Sequence, residues 1–528
     1  MNHKSDQTVY PPFKEKNYFF IFGVLFIYSG MLFTGILAHP MWRDEFHPWL
    51  MSKASASLLD LFRIKASEGH PDLWYLMVYA IQQMSAIPLV MQLMHGAIAS
   101  TTAFLILKYA PFSRLEKSLL IFGYFYFFEY AIISRNYAIG ILLVTLLLAR
   151  HPYRPRFNLV NGLILALLAQ TNLYGIIFSV AFLLTWIYGE FEACRSNRHF
   201  KTLKTNVILS LLVILAGIGY AVYSVIPPPS GYFSGASHFS FSQLTLKEFI
   251  HSMTTPWKAW VPVPELIQQF WDTNILQGDL IQAILSLFML VFGGILFSKR
   301  PTVLFLFIIG STGIIAFILM YYFGYIRHHG HLYILLVVCL WLRNYYPEVP
   351  GSSRFTVITT IRQWLNRKFN ALFMVLLLIQ FFVGMGAYLV HFTIPFSASK
   401  VTADYIKTRG YDRFMLAGDQ DVCMESLMGY LDKQAFLFSR NSFSNYLIYD
   451  TLRKIPEKSA VLKMADSLQK NHGDTVLLIM NYPLTPSDSL NLVAENSFTR
   501  SIRCDEIYYL YLLCPEKPTH SAVPAANL

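Results

Sequence analysis

Three stretches of this chain, Tyr18 to Ala38, Thr302 to Tyr322 and Ala371 to His391, run without a Lys, Arg, Asp or Glu. Each is about as long as the roughly 20 residues a helix needs to cross the hydrocarbon core of a bilayer. A segment in lipid must satisfy its own backbone hydrogen bonds, so these stretches are expected to be helices. Composition agrees: 55% of the residues are hydrophobic and 14% charged, where soluble domains carry about 25% charge.

The same window rule extends to about eleven spans. The first covers roughly 17–38, and a polar and amphipathic stretch follows over about 39–87. Further spans are expected near 88–108, 118–134, 137–150, two within 158–189, and 206–226. The last four are near 279–298, on either side of the turn Gly324–His331, and at 371–391. A long loop near 227–277 carries Pro227–Pro229, Trp257, Trp260 and Trp271 and is expected to lie at the interface. The fold class is thus a mainly α polytopic membrane protein, with an amphipathic surface helix in its first outer loop.

Net charge is +11, but its placement argues against nucleic acid. Lys108, Arg114 and Lys117 fall in one short loop, and Arg150, Arg154 and Arg156 in another. Arg195, Arg198, Lys201 and Lys204 share a third, Lys299 and Arg300 a fourth, and the basic run Arg343 to Lys368 a fifth. All take the same predicted side, as the positive-inside pattern requires. Lys4, Lys14 and Lys16 precede a hydrophobic run too long for a cleavable signal, so the N-terminus reads as a cytoplasmic signal anchor. Five cysteines are too scattered for a disulfide scaffold; Cys504 and Cys514 could pair if the tail is extracytoplasmic.

From about 395 the chain becomes polar enough to be soluble. Asp412–Ala417, Thr475–Met480 and Tyr508–Leu513 read as strands. Lys458–Lys470 has helical spacing, with Val461, Leu462, Ala465 and Leu468 on one side. Alternating strand and helix signals predict a small α/β domain over 395–528, after a transmembrane domain over 1–394.

The chemistry-bearing residues gather in the outer loops. His39-Pro40-Met41-Trp42-Arg43-Asp44-Glu45-Phe46-His47-Pro48-Trp49 opens the first. One of its adjacent carboxylates, Asp44 or Glu45, can act as a general base while the other orients a partner or binds a cation. The structural alternative makes Trp42 and Trp49 interfacial anchors and Arg43 a partner for Asp44. Leu50, Leu58, Leu59, Leu61 and Phe62 follow as an amphipathic helix. Glu68-Gly69-His70-Pro71-Asp72-Leu73-Trp74-Tyr75 then places a second polar turn at the same face. His70 could bind a metal or be a hydrogen-bonded structural residue.

Ser134-Arg135-Asn136-Tyr137 sits between the third and fourth spans. A cation at membrane depth is costly unless paired; Asp44, Glu129 and a ligand phosphate are the candidate partners of Arg135. Arg suits phosphate through its planar fork. Arg327-His328-His329-Gly330-His331 is a cationic or metal-capable cluster. Adjacent histidines in a turn meet zinc geometry poorly, so an anion site is the better reading. Lys258, Glu265, Gln170 and Asn172 are further polar candidates. Asp419 and Asp421 suggest a cation site or a turn after a strand.

The acidic pair in the first outer loop, the surface helix, the His-Pro turn and the Arg-Tyr turn together resemble the GT-C glycosyltransferases. Within them the chain looks like the bacterial relatives of the protein O-mannosyltransferases. The resemblance covers about 1–390 and is strongest over 40–150. It implies a bacterial inner-membrane enzyme that takes a sugar from a polyprenyl-phosphate donor and transfers it outside the membrane, with inversion. The acceptor would be a lipid, glycan or protein. Asp44 would then be the catalytic base and Glu45 a supporting or cation-binding carboxylate. Arg135, with Tyr137 beside it, would hold the lipid phosphate, and Arg327, His328 and His331 would complete that pocket. His-Pro-Asp stands where many members have His-Pro-Pro, which leaves Asp72 open. No metal motif is evident, so a divalent cation stays undecided. The other classes are a transporter or flippase of lipid-linked sugars, which would show repeats and midplane polar groups, and a glycan ligase or polymerase.

Overall fold

The computed structural model describes residues 13–153, 156–197, 205–229, 245–349, 356–484 and 491–515. Lys4, Arg154, Arg198, Lys201, Lys204 and part of the Arg343–Lys368 loop, read above for their charge, lie outside them, as does the side chain of Arg195. The chain divides into two compact units. One comprises Met1–His39, Lys65–Pro229 and Phe233–Thr393; the other comprises Pro40–Ile64, Ser230–Tyr232 and Ile394–Leu528. The first-loop segment bearing the acidic pair is therefore part of the same unit as the C-terminal residues.

The first unit is helical. Among the described residues seven helices are long and apolar enough to cross a membrane: Tyr18–Ala38, Leu89–Tyr109, Leu173–Glu192, Thr205–Ser224, Asp279–Phe297, Pro301–Met320 and Val357–His391. The other four expected spans are shorter or broken. Tyr137–Arg150, Leu159–Ala169 and Ile326–Leu342 have 10–17 residues. The segment near 118–134 splits into an α-helix, Arg114–Ile121, and a π-helix, Tyr124–Ile132. The break falls at Gly123, whose ψ of 158° is extended. There Gly384 of the last long helix sits so close that an added Cβ would lie 2.8 Å from the Phe122 carbonyl and the Tyr124 nitrogen. π-turns of this kind cluster at functional sites, and this one carries Glu129.

Two of the expected loops are built differently. The turn expected at Gly324–His331 ends early: the helix begins at Ile326, so Arg327 to His331 form its buried first turn. The reason is remote, because Asp272 caps that helix by accepting the Ile326 N–H at 2.5 Å. The surface helix expected from Leu50 to Phe62 is two helices, Arg43–Ala54 and Leu58–Ile64. Leu50 and Leu61 are buried whereas Leu58 and Leu59 are exposed.

The second unit is built on a six-stranded sheet: β1 Met415–Gly418, β2 Ala435–Leu437, β3 Ser442–Ser444, β4 Val476–Met480, β5 Leu492–Phe498 and β6 Tyr508–Leu513. Their order is β3-β2-β1-β4-β6-β5. β2, β1 and β4 run parallel, and the outer pairings are antiparallel. Helices Ser399–Thr408 and Asp421–Leu431 cover one face, where Ile406, Met424 and Leu427 pack with Leu416, Leu477 and Ile479. Helix Lys458–His472 covers the other, where Val461 and Ala465 meet Ala417, Leu478 and Met480. Burial on both faces explains why β4 is a continuous apolar run. The expected strand at Asp412–Ala417 starts later: Gly410, at φ 67°, leads into a 3-10 turn over Tyr411–Arg413, and pairing begins at Met415.

Candidate functional site

In the C-terminal unit the two first-loop carboxylates have different surroundings. Trp42 is extended at the head of helix Arg43–Ala54, and Glu45 folds back to accept the Trp42 N–H at 3.2 Å. Glu45 is fully buried, so its carboxylate serves the helix start. Asp44 stays partly exposed, with the Arg43 guanidinium 3.8 Å away.

Arg43 is the hub. Its Nη2 meets the Asp505 carboxylate at 2.7 Å, and its backbone N–H donates to Glu506 at 2.9 Å. Arg503 meets the same Asp505 oxygen at 2.7 Å. Both guanidiniums lie over the Trp42 ring, at 5.4 and 5.0 Å. Glu506 also accepts from Ser426 at 3.1 Å and from Ser397. Burial pushes its carboxyl up to about 7.

The same helix grips Asp421–Leu431. His47 Nδ1 lies 2.6 Å from Glu425, and Phe46 meets Tyr430 edge-on at 4.7 Å. Gly429 is required beneath Phe46, since a Cβ there would come within 2.2 Å of the ring. The Tyr430 hydroxyl accepts the Met41 N–H at 2.7 Å.

In the helical unit the head of Ile326–Leu342 gathers the second set. The Arg327 guanidinium lies 5.2 Å from the Trp271 ring centre and 4.7 Å from that of Tyr325. Trp271 is held by Glu129, which accepts its indole N–H at 3.0 Å and the Tyr124 hydroxyl at 2.8 Å. Asp272 follows in the left-handed region at φ 69°, a strained conformation for a non-glycine residue. Adjacent residues of the long loop thus place Arg327 twice, one under its side chain and one at its helix start. Glu129, a candidate partner of Arg135 from sequence, accepts hydrogen bonds from Tyr124 and Trp271.

Tyr137, His328 and His331 come together. Tyr137 meets His328 at 5.8 Å and His331 at 5.4 Å, and Tyr174 stacks on His331 at 4.3 Å. His328 Nδ1 accepts the Tyr325 N–H at 2.8 Å, which leaves Nε2–H as its donor in the neutral ring. His331 donates from Nδ1 to the His328 carbonyl at 3.0 Å, which leaves Nε2 as its acceptor. The Tyr130 hydroxyl donates to the Arg327 carbonyl at 2.5 Å. Arg135 is half-buried, and its carbonyl lies 3.0 Å from His95 Nε2.

The His70 carbonyl accepts from Lys65 Nζ at 2.9 Å. Asp72 is differently engaged: one oxygen pairs with Lys65 and the other accepts the Tyr220 hydroxyl at 2.5 Å. Gln170 donates to the Gly217 carbonyl at 2.7 Å, and Asn172 accepts the Gly175 N–H at 2.9 Å. Glu265 accepts from Gln277. Lys258 lies 5.2 Å over the Phe323 ring. Asp421 is bound to Arg453 at 2.6 and 2.8 Å. Cys504 and Cys514 are both free. Among the described residues no three His, Cys, Asp or Glu side chains converge as a metal set. A narrow cleft lies elsewhere in the helical unit, between Leu147, His151, Arg156, Trp186, Leu306 and Tyr346.

Sequence reading missed His95, Tyr174, Asp272, Arg503 and the Asp505–Glu506 pair. The last carries a signal like that of Asp44–Glu45, two adjacent acids in an apolar neighbourhood, Cys504 before them and Ile507-Tyr508 after.

No family model matches the chain, and no curated protein does. One solved structure is similar: the crystal structure of ArnT from Cupriavidus metallidurans bound to undecaprenyl phosphate. The match covers 93% of this chain and 97% of that one, at 11% sequence identity and a TM-score of 0.43.

Proposed function

We propose that this protein is an integral membrane glycosyltransferase that moves a sugar from a polyprenyl-phosphate donor to an acceptor at the extracytoplasmic face. The observation that carries the reading is the buried first turn of Ile326–Leu342. There Arg327 lies between two aromatic rings, and His328 and His331 converge with Tyr137. A planar cation of fixed orientation next to a ring N–H donor is suited to a phosphate. Arg135 belongs to the turn that ends at Tyr137 and adds a second cation to the same function.

In this reading the acceptor oxygen attacks the anomeric carbon as Asp44 takes its proton. The bond from that carbon to the phosphate oxygen breaks, and its electron pair leaves with the lipid phosphate. Arg327, Arg135 and His328 stabilise the charge that develops there. A phosphate needs no general acid to leave, so one base suffices. Direct displacement inverts the anomeric centre. Asp44 fits the base role better than Glu45 because it is accessible while Glu45 is committed to its helix start. Residues 395–528 would form a soluble extracytoplasmic domain, with the N-terminus in the cytoplasm.

The test is sugar release by purified protein from a panel of polyprenyl-phosphate pentoses and hexoses. Asp44→Asn is expected to lower turnover by about a hundredfold or more. Full activity in that variant would sink the assignment.

A further inference from the structure

We infer that the carboxyl ends of β1 and β4 form a carbohydrate-binding crevice that receives a glycan acceptor, an inference that rests on the transferase reading above. The topology supplies the place. From β1 the chain passes through helix Asp421–Leu431 to β2 on one side, then through helix Lys458–His472 to β4 on the other. The order therefore reverses across β1 and β4, and open α/β sheets bind ligands beyond the strand ends at such a switch point. Gly418 pairs with Ile479, so Asp419 and Asn481 leave the two strands at nearly the same level.

The side chains there need hydrogen-bond donors. Asn481 is only 8% exposed. Its Nδ2 donates to the carbonyls of Asp505 at 3.3 Å and Ile507 at 2.7 Å, which fixes the amide orientation. Its Oδ1 is buried without a hydrogen-bond partner, and so is Oδ1 of Asp505. Buried acceptors of this kind are costly unless a donor meets them. Asp421 cannot be part of the crevice, because Arg453 and Ser439 occupy its carboxylate. Asp419 can: it is mostly buried, beside the Tyr482 hydroxyl.

Charge narrows the ligand. Asp419 opposes an anion, Asp505 is neutralised by Arg43 and Arg503, and Lys458, 4.1 Å over the Tyr482 ring, opposes a cation. A neutral molecule rich in hydroxyl groups can donate to Asn481, Asp419 and Asp505 and accept from Lys458, with Tyr482 as an aromatic wall. Asp505 links the crevice to the base. Its carbonyl takes Asn481, and its carboxylate takes Arg43, the neighbour of Asp44.

The test is saturation-transfer NMR on the full-length protein, with methyl glucoside and methyl galactoside as probes and no donor present. Wild type is expected to show transfer to at least one glycoside. Asp419→Asn and Asn481→Ser should each weaken that binding about tenfold. Should Asn481→Ser lower the unfolding midpoint, Asp419→Asn alone decides. No signal in wild type, undiminished signal in Asp419→Asn, or displacement of the glycosides by inorganic phosphate would each overturn the inference. Binding is read without donor and turnover is read with it, so failure here is distinct from failure of the transferase reading.

Discussion

Arg43 Nη2 stands 2.7 Å from Asp505 Oδ2, joining the start of the first-loop helix to the last strand connection of the C-terminal sheet. Glu506, next in the chain, accepts the Arg43 backbone N–H from a fully buried position. The two acids respond to pH in opposite ways. Burial raises Glu506 from 4.5 to about 7. The folded protein then holds this proton more tightly than the unfolded chain. Stability from Glu506 is complete below pH 4.5 and is lost as pH rises toward 7. Burial would also raise Asp505, but Arg43 and Arg503 outweigh it and hold it below 3.8; its contribution is present above 3.8 and lost as pH falls below its lowered value. Thermal unfolding of wild type and Glu506→Gln between pH 4.5 and 7 separates the two, because of these two acids Glu506 alone titrates in that window. The stability difference between the proteins should change across the window in the direction stated. A constant difference would remove Glu506 from the account.

Asp44 and Glu45 should part company under mutation. Glu45→Gln keeps an acceptor at the third helical position and loses only its charge near the helix start. It is expected to cost about 0.5–1 kcal/mol in stability and leave most of the turnover. Asp44→Asn should leave the unfolding midpoint nearly unchanged while turnover collapses. Measuring both quantities on both variants makes the contrast clear. Equal turnover losses would mean that the pair acts as one unit.

Much of the helical unit was legible because a bilayer imposes a length, and length is visible in sequence. β4 was legible for a similar reason, since a strand buried on both faces must be continuously apolar. The break at Gly123 was not, because it comes from Gly384, more than 200 residues away. The start of Ile326–Leu342 was hidden in the same way, being set by a cap from Asp272, 54 residues earlier. Composition marked Asp44, but its surroundings are supplied by Asp505 and Glu506, and Glu506 meets Arg43 across 463 positions of sequence. The chemistry of single residues was readable; their partners, brought in by tertiary folding, were not.

Arg327 should not tolerate lysine. Its guanidinium lies against two aromatic rings, Trp271 at 5.2 Å and Tyr325 at 4.7 Å, and an ammonium has no plane to stack. Arg327→Lys keeps the charge that stabilises the leaving phosphate but loses the planar fork that binds it, so the donor KM is expected to rise about tenfold with a smaller change in kcat. Trp271→Phe keeps a ring but loses the N–H that Glu129 holds, and should give a smaller change in the same direction. An unaltered donor KM in Arg327→Lys would take Arg327 out of the phosphate pocket.

Asp72 is expected to act in stability rather than in turnover. It is 4% exposed and its partner Lys65 is 2% exposed. Burial pulls the Lys65 ammonium down while Asp72 and Glu68 work to keep it charged. The Lys65 Nζ also donates to the His70 carbonyl at 2.9 Å, so the pair fixes the turn that presents His70. Asp72→Asn strands a buried cation and weakens the tie to Tyr220, and should cost about 3 kcal/mol. Removing both charges with Lys65→Met and Asp72→Leu should recover a large part of that loss, since the uncompensated cation is what makes the single change severe. Turnover per folded molecule should stay close to wild type in the double variant. Thermal unfolding and turnover measured on the same preparations decide the matter: a double variant that regains stability yet loses turnover would make Asp72 a participant in the reaction.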